Sequence, residues 1–234
     1  MPESPLILGI DTCGPSGSVA LGRLPGRDLE ILGQIELAGR SYSATLVAAV
    51  ADLLRSAGTE LRKLGGIVVV NGPGSFTGVR VGLSAVKGLA EGSAIPVVAV
   101  SRLEVLSRKS GVPSSALDAH RGEVFLRVER VGANPAELLA GPRELAAIHP
   151  APLRLAVCDD GAAALLAAAW PATQLVKTAA PDAADALQLG EARLTAGAIA
   201  DLALLDGHYL RRSDAEIFGK EAFHEPAATE SQGA

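Results

Sequence analysis

The segment Asp11-Thr12-Cys13-Gly14-Pro15-Ser16-Gly17-Ser18 places a carboxylate at the end of an apolar run and follows it with a glycine-rich turn. Glycine permits positive φ, and successive backbone N–H groups in such a turn can form a nest for an anion. An acid at the preceding strand end can hold a metal-bound water. Asp11, Thr12 and Gly14 are therefore the candidates for holding a phosphate-bearing cofactor, as in phosphate-transferring enzymes of the actin and sugar-kinase type. A hairpin turn that needs flexible backbone and binds nothing uses the same residues, and the sequence leaves both readings open.

A second glycine-rich turn, Asn71-Gly72-Pro73-Gly74-Ser75-Phe76-Thr77-Gly78, follows an apolar run and opens a helical pattern. That setting suits phosphate at a helix N-terminus. Yet no Lys-Ser or Lys-Thr pair completes a Walker loop, and no acid stands where a dinucleotide fingerprint needs one. The four histidines, His120, His149, His208 and His224, include no two that are three or four residues apart. Asp118 and His120 share one side of an expected strand, which suits a surface pair as well as a metal pair. Asp159 and Asp160 fit the N-terminus of a helix. No Gly-x-Ser-x-Gly elbow occurs, and neither Cys13 nor Cys158 has a histidine nearby in sequence. The residues predict no catalytic centre and no metal site.

The elements that would position these groups alternate strand and helix. Strands are expected at Leu6–Asp11, Ser18–Leu24 and Leu29–Leu37, then a helix over Ser43–Ala57 capped by Ser43, with Gly58 beyond it. Ile67–Val70 is an unbroken β-branched run, the pattern of a strand buried in a parallel sheet. A helix to about Gly92 and a strand at Ile95–Val100 follow. After residue 100 the order repeats loosely: a helix from Leu103, strands at Ser115–Ala119 and Val124–Val131, a strand at Leu153–Cys158, a helix to Trp170, a strand at Gln174–Thr178, and a helix over Ala183–Ala196. Two α/β lobes are predicted, residues 1–100 and 101–217, with a disordered polar tail at 218–234.

The two N-terminal helices carry broad apolar arcs. In one, Leu46, Val47, Val50, Leu53 and Leu54 leave only Thr45, Asp52 and Arg55 clearly polar. In the other, Val79, Leu83, Val86 and Ala90 form a stripe beside Gly78, Gly82, Ala85 and Leu89, with Arg80, Ser84, Lys87 and Glu91 as a polar strip. A helix on one side of a sheet needs an apolar arc of only a little over about 100°. Either the helices cover each other, or they present an apolar plate to a second chain.

The chain has 234 residues, 48% hydrophobic and 20% charged, which is ordinary for a globular protein with a core. A formal net charge of −5 gives no support to autonomous nucleic-acid binding. Two cysteines far apart in sequence fit reduced thiols better than a disulfide. Met1–Pro5 lacks a basic region and Leu6–Ile10 is short for a signal core, so a cytoplasmic protein with no membrane span is expected.

The stretch Asn71–Val100 with Ser101-Arg102-Leu103-Glu104 after it resembles the TsaB (YeaZ) family of tRNA threonylcarbamoyladenosine biosynthesis proteins. So do Ile10-Asp11-Thr12 with Ser18-Val19-Ala20-Leu21, the Arg-Gly-Glu core within Asp118–Val124, and Tyr209-Leu210-Arg211-Arg212. The resemblance implies a two-lobed actin-like, ribonuclease-H-like (ASKHA) α/β fold. It also implies an accessory subunit, not an enzyme, that binds and activates the related catalytic subunit TsaD and works with the ATPase TsaE. The complex would place threonylcarbamoyl on the adenosine beside the anticodon of tRNAs reading codons that start with A. No cofactor is then expected on the isolated chain, ATP being used by the complex, and tRNA is met only through the complex.

In the family the two helices form the partner surface, which here implies Leu46, Val50, Leu53, Phe76, Val79, Arg80, Leu83, Ser84, Val86 and Lys87. A homodimer through the same helices is an alternative. Family members carry His-Ser just before the first helix where this chain has Ser41-Tyr42-Ser43, and no site role carries over to that position. Two other functions compete: an ATP-dependent phosphotransferase or hydrolase built on Asp11, and a glycoprotease-like metallopeptidase.

Overall fold

The computed structural model describes residues 5–24, 29–39, 41–130 and 132–211. The tail expected over 218–234, and His224 within it, lie outside the described residues.

Two five-stranded sheets share one wiring scheme. In the first, β1 (Leu6–Asp11), β2 (Gly17–Arg23) and β3 (Glu30–Leu37) run as an antiparallel meander, and β4 (Leu64–Val70) and β5 (Val97–Val100) add in parallel on the other side of β1. The order is β3-β2-β1-β4-β5. In the second, β6 (Ser115–His120), β7 (Glu123–Arg130) and β8 (Ala133–Ala140) are the meander, and β9 (Arg154–Val157) and β10 (Gln174–Lys177) are the parallel pair. The order β10-β9-β6-β7-β8 is the first scheme repeated. The helices are α1 (Tyr42–Ser56), α2 (Phe76–Glu91), α3 (Arg102–Ser110), α4 (Pro142–Ala147), α5 (Asp160–Ala169) and α6 (Ala183–Thr195). Strand β8 and helix α4 have no counterpart among the expected elements. Helix α1 begins at Tyr42 and not after Ser43, and Ser41, at its N-cap, makes no capping bond with its side chain.

The register fixes which helix lies on which face of the first sheet. Gly33 is opposite Leu21, and Leu21 is opposite Leu8, so the three share a face. A β-carbon on Gly33 would stand 3.1 Å from Cδ2 of Leu53, which puts α1 there. Gly9, the next residue, points the other way, and a β-carbon on it would meet Ala183 and Leu187 of α6. Helix α6 was expected with the second lobe. It is instead the cover of the first sheet, with Ala183, Ala186 and Leu187 in that sheet's core beside Ile7, Val68 and Val98. Helix α6 thus follows the second sheet in sequence but packs on the first.

In the second sheet, alternate residues feed two cores. Ala116, Val124, Leu126, Leu155 and Val157 pack with Leu166 of α5 and Leu145 of α4, while Leu117, Phe125 and Ala156 pack with Leu103 and Leu106 of α3. Helix α3 also ties to α6, through Glu104, which takes both its carboxylate oxygens to Arg193 Nη2 at 2.6 Å, and through Lys109, which donates to Asp185 at 2.6 Å. Among the described residues no helix is long and apolar enough to cross a membrane.

Candidate functional site

The carboxyl ends of parallel strands, where the order of an α/β sheet turns back, are where such folds keep their ligands. Here β1, β4 and β5 deliver Asp11, Asn71 and Ser101-Arg102 to that end. The two glycine-rich turns meet there, and they meet each other. Ser75 N–H donates to the Cys13 carbonyl at 2.8 Å, and Thr12 Oγ1 donates to the Gly78 carbonyl at 2.7 Å. A β-carbon on Gly74 would lie 2.2 Å from the Cys13 oxygen, one on Gly78 2.0 Å from the Thr12 oxygen, and one on Gly82 2.4 Å from Thr12 Oγ1. These glycines, four apart, let the second turn and α2 settle onto the first turn with no gap. Ser75 caps α2 by accepting from Gly78 N–H at 3.2 Å.

Asp11 is buried and its carboxylate is occupied. Oδ1 accepts from Cys13 N–H at 2.8 Å, and Oδ2 pairs with Arg102 Nε at 3.3 Å. Burial opposes the charge of Arg102, but the Asp11 carboxylate outweighs it and the guanidinium pKa is raised. Gly14 has no β-carbon for a reason: one there would stand 2.5 Å from Arg102 Nη2, which lies across the turn. The Gly14 carbonyl accepts from Tyr42 Oη at 2.9 Å, so Tyr42, the first residue of α1, clamps the first turn. Burial, then Asp11, pushes the Cys13 thiol well above its ordinary pKa, and the same causes raise Tyr42. Asp11, Thr12 and Gly14 thus serve packing and an ion pair.

Beside this junction a cavity of about 910 Å³ opens between the two sheets, with Gly14, Arg102, Phe125, Cys158, Tyr209 and Arg211 among its lining. Its rim includes the β6–β7 turn, where His120 and Arg121 hold φ of 60° and 57°. Asp118 Oδ2 and His120 Nδ1 are 3.0 Å apart, and the His120 side chain is 84% exposed, so the surface pair is the one the structure shows. Among the described residues no three His, Cys, Asp or Glu side chains gather as metal ligands. Arg211 pairs with Glu123. Phe76 packs against Tyr209 with ring centroids 5.2 Å apart and planes tilted by 49°, and the Arg80 guanidinium lies 3.8 Å from the Phe76 ring centroid, linking the cavity to the outer side of α2.

The expected plate on α1 and α2 needs correction. Leu46, Val50, Leu53, Val79, Leu83 and Val86 are buried within this chain's own core. The close approach that Gly78 and Gly82 allow turns the wide apolar arc of α2 inward. What faces out is Phe76, Arg80 and Ser84, with Lys87 half-buried, and on α1 Val47 at 57% exposure between Ala44, Ala48 and Ala51. Arg102, Tyr42 and Tyr209 stand within stretches that were compared with the TsaB family, but none of them was expected to have a role at this site. Arg102 stands 91 positions from Asp11, and its place just after a strand end, within the segment that resembles the TsaB family, was the hint available.

TsaB of Escherichia coli (strain K12), a tRNA threonylcarbamoyladenosine biosynthesis protein, is 37% identical over 125 residues, 51% of this chain and 52% of that one. TsaB of Bacillus subtilis (strain 168) is 38% identical over 123 residues, with 51% and 52% covered. A crystal structure from Pseudomonas aeruginosa, described as an uncharacterized protein with similarity to peptidase YeaZ, matches the whole fold. Its TM-score is 0.72 at 27% identity, over 88% of this chain and 100% of that one. The chain is a relative of the TsaB and YeaZ proteins. The TsaB-type match in sequence spans about half the length of those curated relatives. The family model described as TsaD, tRNA N6-adenosine threonylcarbamoyltransferase, matches residues 32–141. The two sheets, wired in one repeated order, make a two-lobed α/β fold of the actin-like, ribonuclease-H-like (ASKHA) kind.

Proposed function

We propose that this chain is a non-catalytic subunit in the synthesis of threonylcarbamoyladenosine on tRNA, binding and activating a TsaD-type transferase. One observation carries the non-catalytic part. The acid that an actin-type enzyme would turn toward a metal-bound water is ion-paired with Arg102, and the glycine turns beside it are packed on one another. The names of the relatives support the pathway. In this reading a TsaE-type ATPase uses the ATP, tRNA is reached through the assembled complex in the cytoplasm, and the isolated chain holds no cofactor.

The partner surface is the outward side of α1 and α2, centred on Val47 and on Phe76, Arg80 and Ser84. Small neighbours such as Ala44, Ala48 and Ala51 would let a partner helix come close, and one exposed Val and one Phe supply apolar anchors. The same face would serve a homodimer in the partner's absence.

The experiment is co-purification with TsaD, followed by a modification assay on unmodified tRNA, for the wild type and for Val47→Asp and Ser84→Arg. Val79→Asp and Leu83→Asp are unsuitable, because they bury a charge and unfold the chain. Loss of both association and modification, with an unchanged circular dichroism spectrum, is expected. Undiminished association in both variants removes this surface. Turnover of ATP with magnesium by the isolated chain, abolished in Asp11→Asn, removes the non-catalytic reading.

A further inference from the structure

Arg102 is 6% exposed, yet only part of its guanidinium is satisfied. Nε donates to Asp11, and among the described residues neither Nη atom has a hydrogen-bond partner. Both Nη atoms are absent from the buried, partnerless polar atoms, of which Arg127 Nε is the one present among the described residues. They therefore keep access to the cavity that Arg102 lines. A guanidinium has five N–H donors in a planar fork, and the four on the Nη atoms have no hydrogen-bond partner among the described residues. Leaving donors of a buried cation without a strong acceptor is costly.

We propose that the cavity binds a small monocarboxylate with an apolar body, its carboxylate held by the two Nη groups of Arg102. A carboxylate matches the planar fork with two parallel bonds. Charge beside Arg102 tells against phosphate: Asp11 is bonded to the same guanidinium and Asp159 lines the cavity, while the cavity's Arg211 and His120 are paired with Glu123 and Asp118. A dianion would meet that repulsion in full, a monoanion far less. The backbone donors that would cradle a phosphate are also used, Cys13 N–H by Asp11 and Ser75 N–H by the Cys13 carbonyl. Phe76, Leu117, Phe125 and Leu210 give the wall an apolar portion for the body of the ligand, beside the polar His120, His208 and Arg211. A volume of about 910 Å³ is that of a small-molecule site. The non-glycine residues His120 and Arg121 at the rim both hold left-handed backbone, a strain that gathers at functional sites.

Cys158 lines the same cavity and reports on it. The full chain is alkylated with iodoacetamide in the presence of hexanoate, phenylacetate, hexanol, hexylamine or inorganic phosphate, and modification of Cys158 is followed by mass spectrometry. Hexanoate and phenylacetate should slow it saturably, at about 1 mM or below, with hexanol, hexylamine and phosphate at least about tenfold weaker. The Asp11→Asn/Arg102→Met double variant leaves no buried charge behind, and it should lose the advantage of hexanoate over hexanol. If that variant does not fold, the comparison of hexanoate with hexanol on the wild type decides. Protection by hexanol equal to that by hexanoate overturns the proposal, as does protection by phosphate equal to it, or none by either carboxylate at about 10 mM.

Discussion

The hydroxyl of Ser101, between β5 and α3, donates to Glu137 of β8 at 2.6 Å and so ties the first sheet's last strand to the second sheet's edge. Glu137 also accepts from Arg127 at 2.6 Å, and it lies 2.8 Å from His208 Nε2. Burial would raise this carboxyl, but the hydrogen bonds from His208, Ser101 and Arg127 outweigh it and hold it below the usual value. A lowered carboxyl stabilises the fold while ionised. Its contribution is complete above the unfolded value and is lost as pH falls through the folded one. Glu137→Gln should cost about 2–4 kcal/mol in denaturant unfolding at neutral pH, and the gap to wild type should close below the ordinary carboxylate range. A gap independent of pH would refute this account.

The three small positions of α2 should behave differently. Alanine at Gly78 would press on the Thr12 backbone oxygen, 2.0 Å from its β-carbon, and alanine at Gly82 would press on Thr12 Oγ1 at 2.4 Å. Each should destabilise by about 1–3 kcal/mol, Gly78→Ala more, since backbone yields less than a side chain. A β-carbon at Gly88 meets nothing within 4 Å, so Gly88→Ala should stabilise by about 0.5–1 kcal/mol through helix propensity. Thermal unfolding of the three variants checks the order.

Removing one member of the Asp11–Arg102 pair should be worse than removing both. Their side chains are 2% and 7% exposed. Arg102→Met leaves a buried carboxylate with no cation and should cost about 3–5 kcal/mol, while the Asp11→Asn/Arg102→Met chain should recover most of that loss. Denaturant titrations of the single and double variants measure the coupling, and additive losses would show the pair to be unimportant.

The two thiols should separate by reactivity. Cys13 is buried, donates to the Val70 carbonyl at 3.2 Å, and has its pKa pushed well up by burial and then by Asp11. Cys158 is half-buried and raised by burial. With a disulfide reagent at mildly alkaline pH, Cys158 should react slowly in the native chain and Cys13 only after unfolding. Equal rates in the native protein would contradict the placement of Cys13.

Most strands and helices are legible because their signals are local. Ile67–Val70 is unbroken and β-branched, and Asp182, which caps α6 by accepting from Asp185 N–H at 3.0 Å, stands at an expected helix start. Strand β8, with the sequence ANPAELLA, carries Pro135 and no alternation, and is held at the edge by pairing with β7 and by Glu137. The width of the apolar arc on α2 was also legible. What covered it was not, because that depends on how closely Gly78 and Gly82 approach Thr12, some 66 residues away for the Thr12–Gly78 bond. The site is less legible still, since Arg102 and Asp11 meet only when β1 and β5 share a sheet.

The placement of α6 has a bearing on how the polypeptide matures at the ribosome. The opening strands emerge early, but the face of β1, β2 and β4 that Ala183, Ala186 and Leu187 cover stays bare until Ala183–Thr195 has been made. The second sheet is complete by Lys177, so the half translated later can close first. The half translated earlier must wait, greasy side outward, for its missing lid.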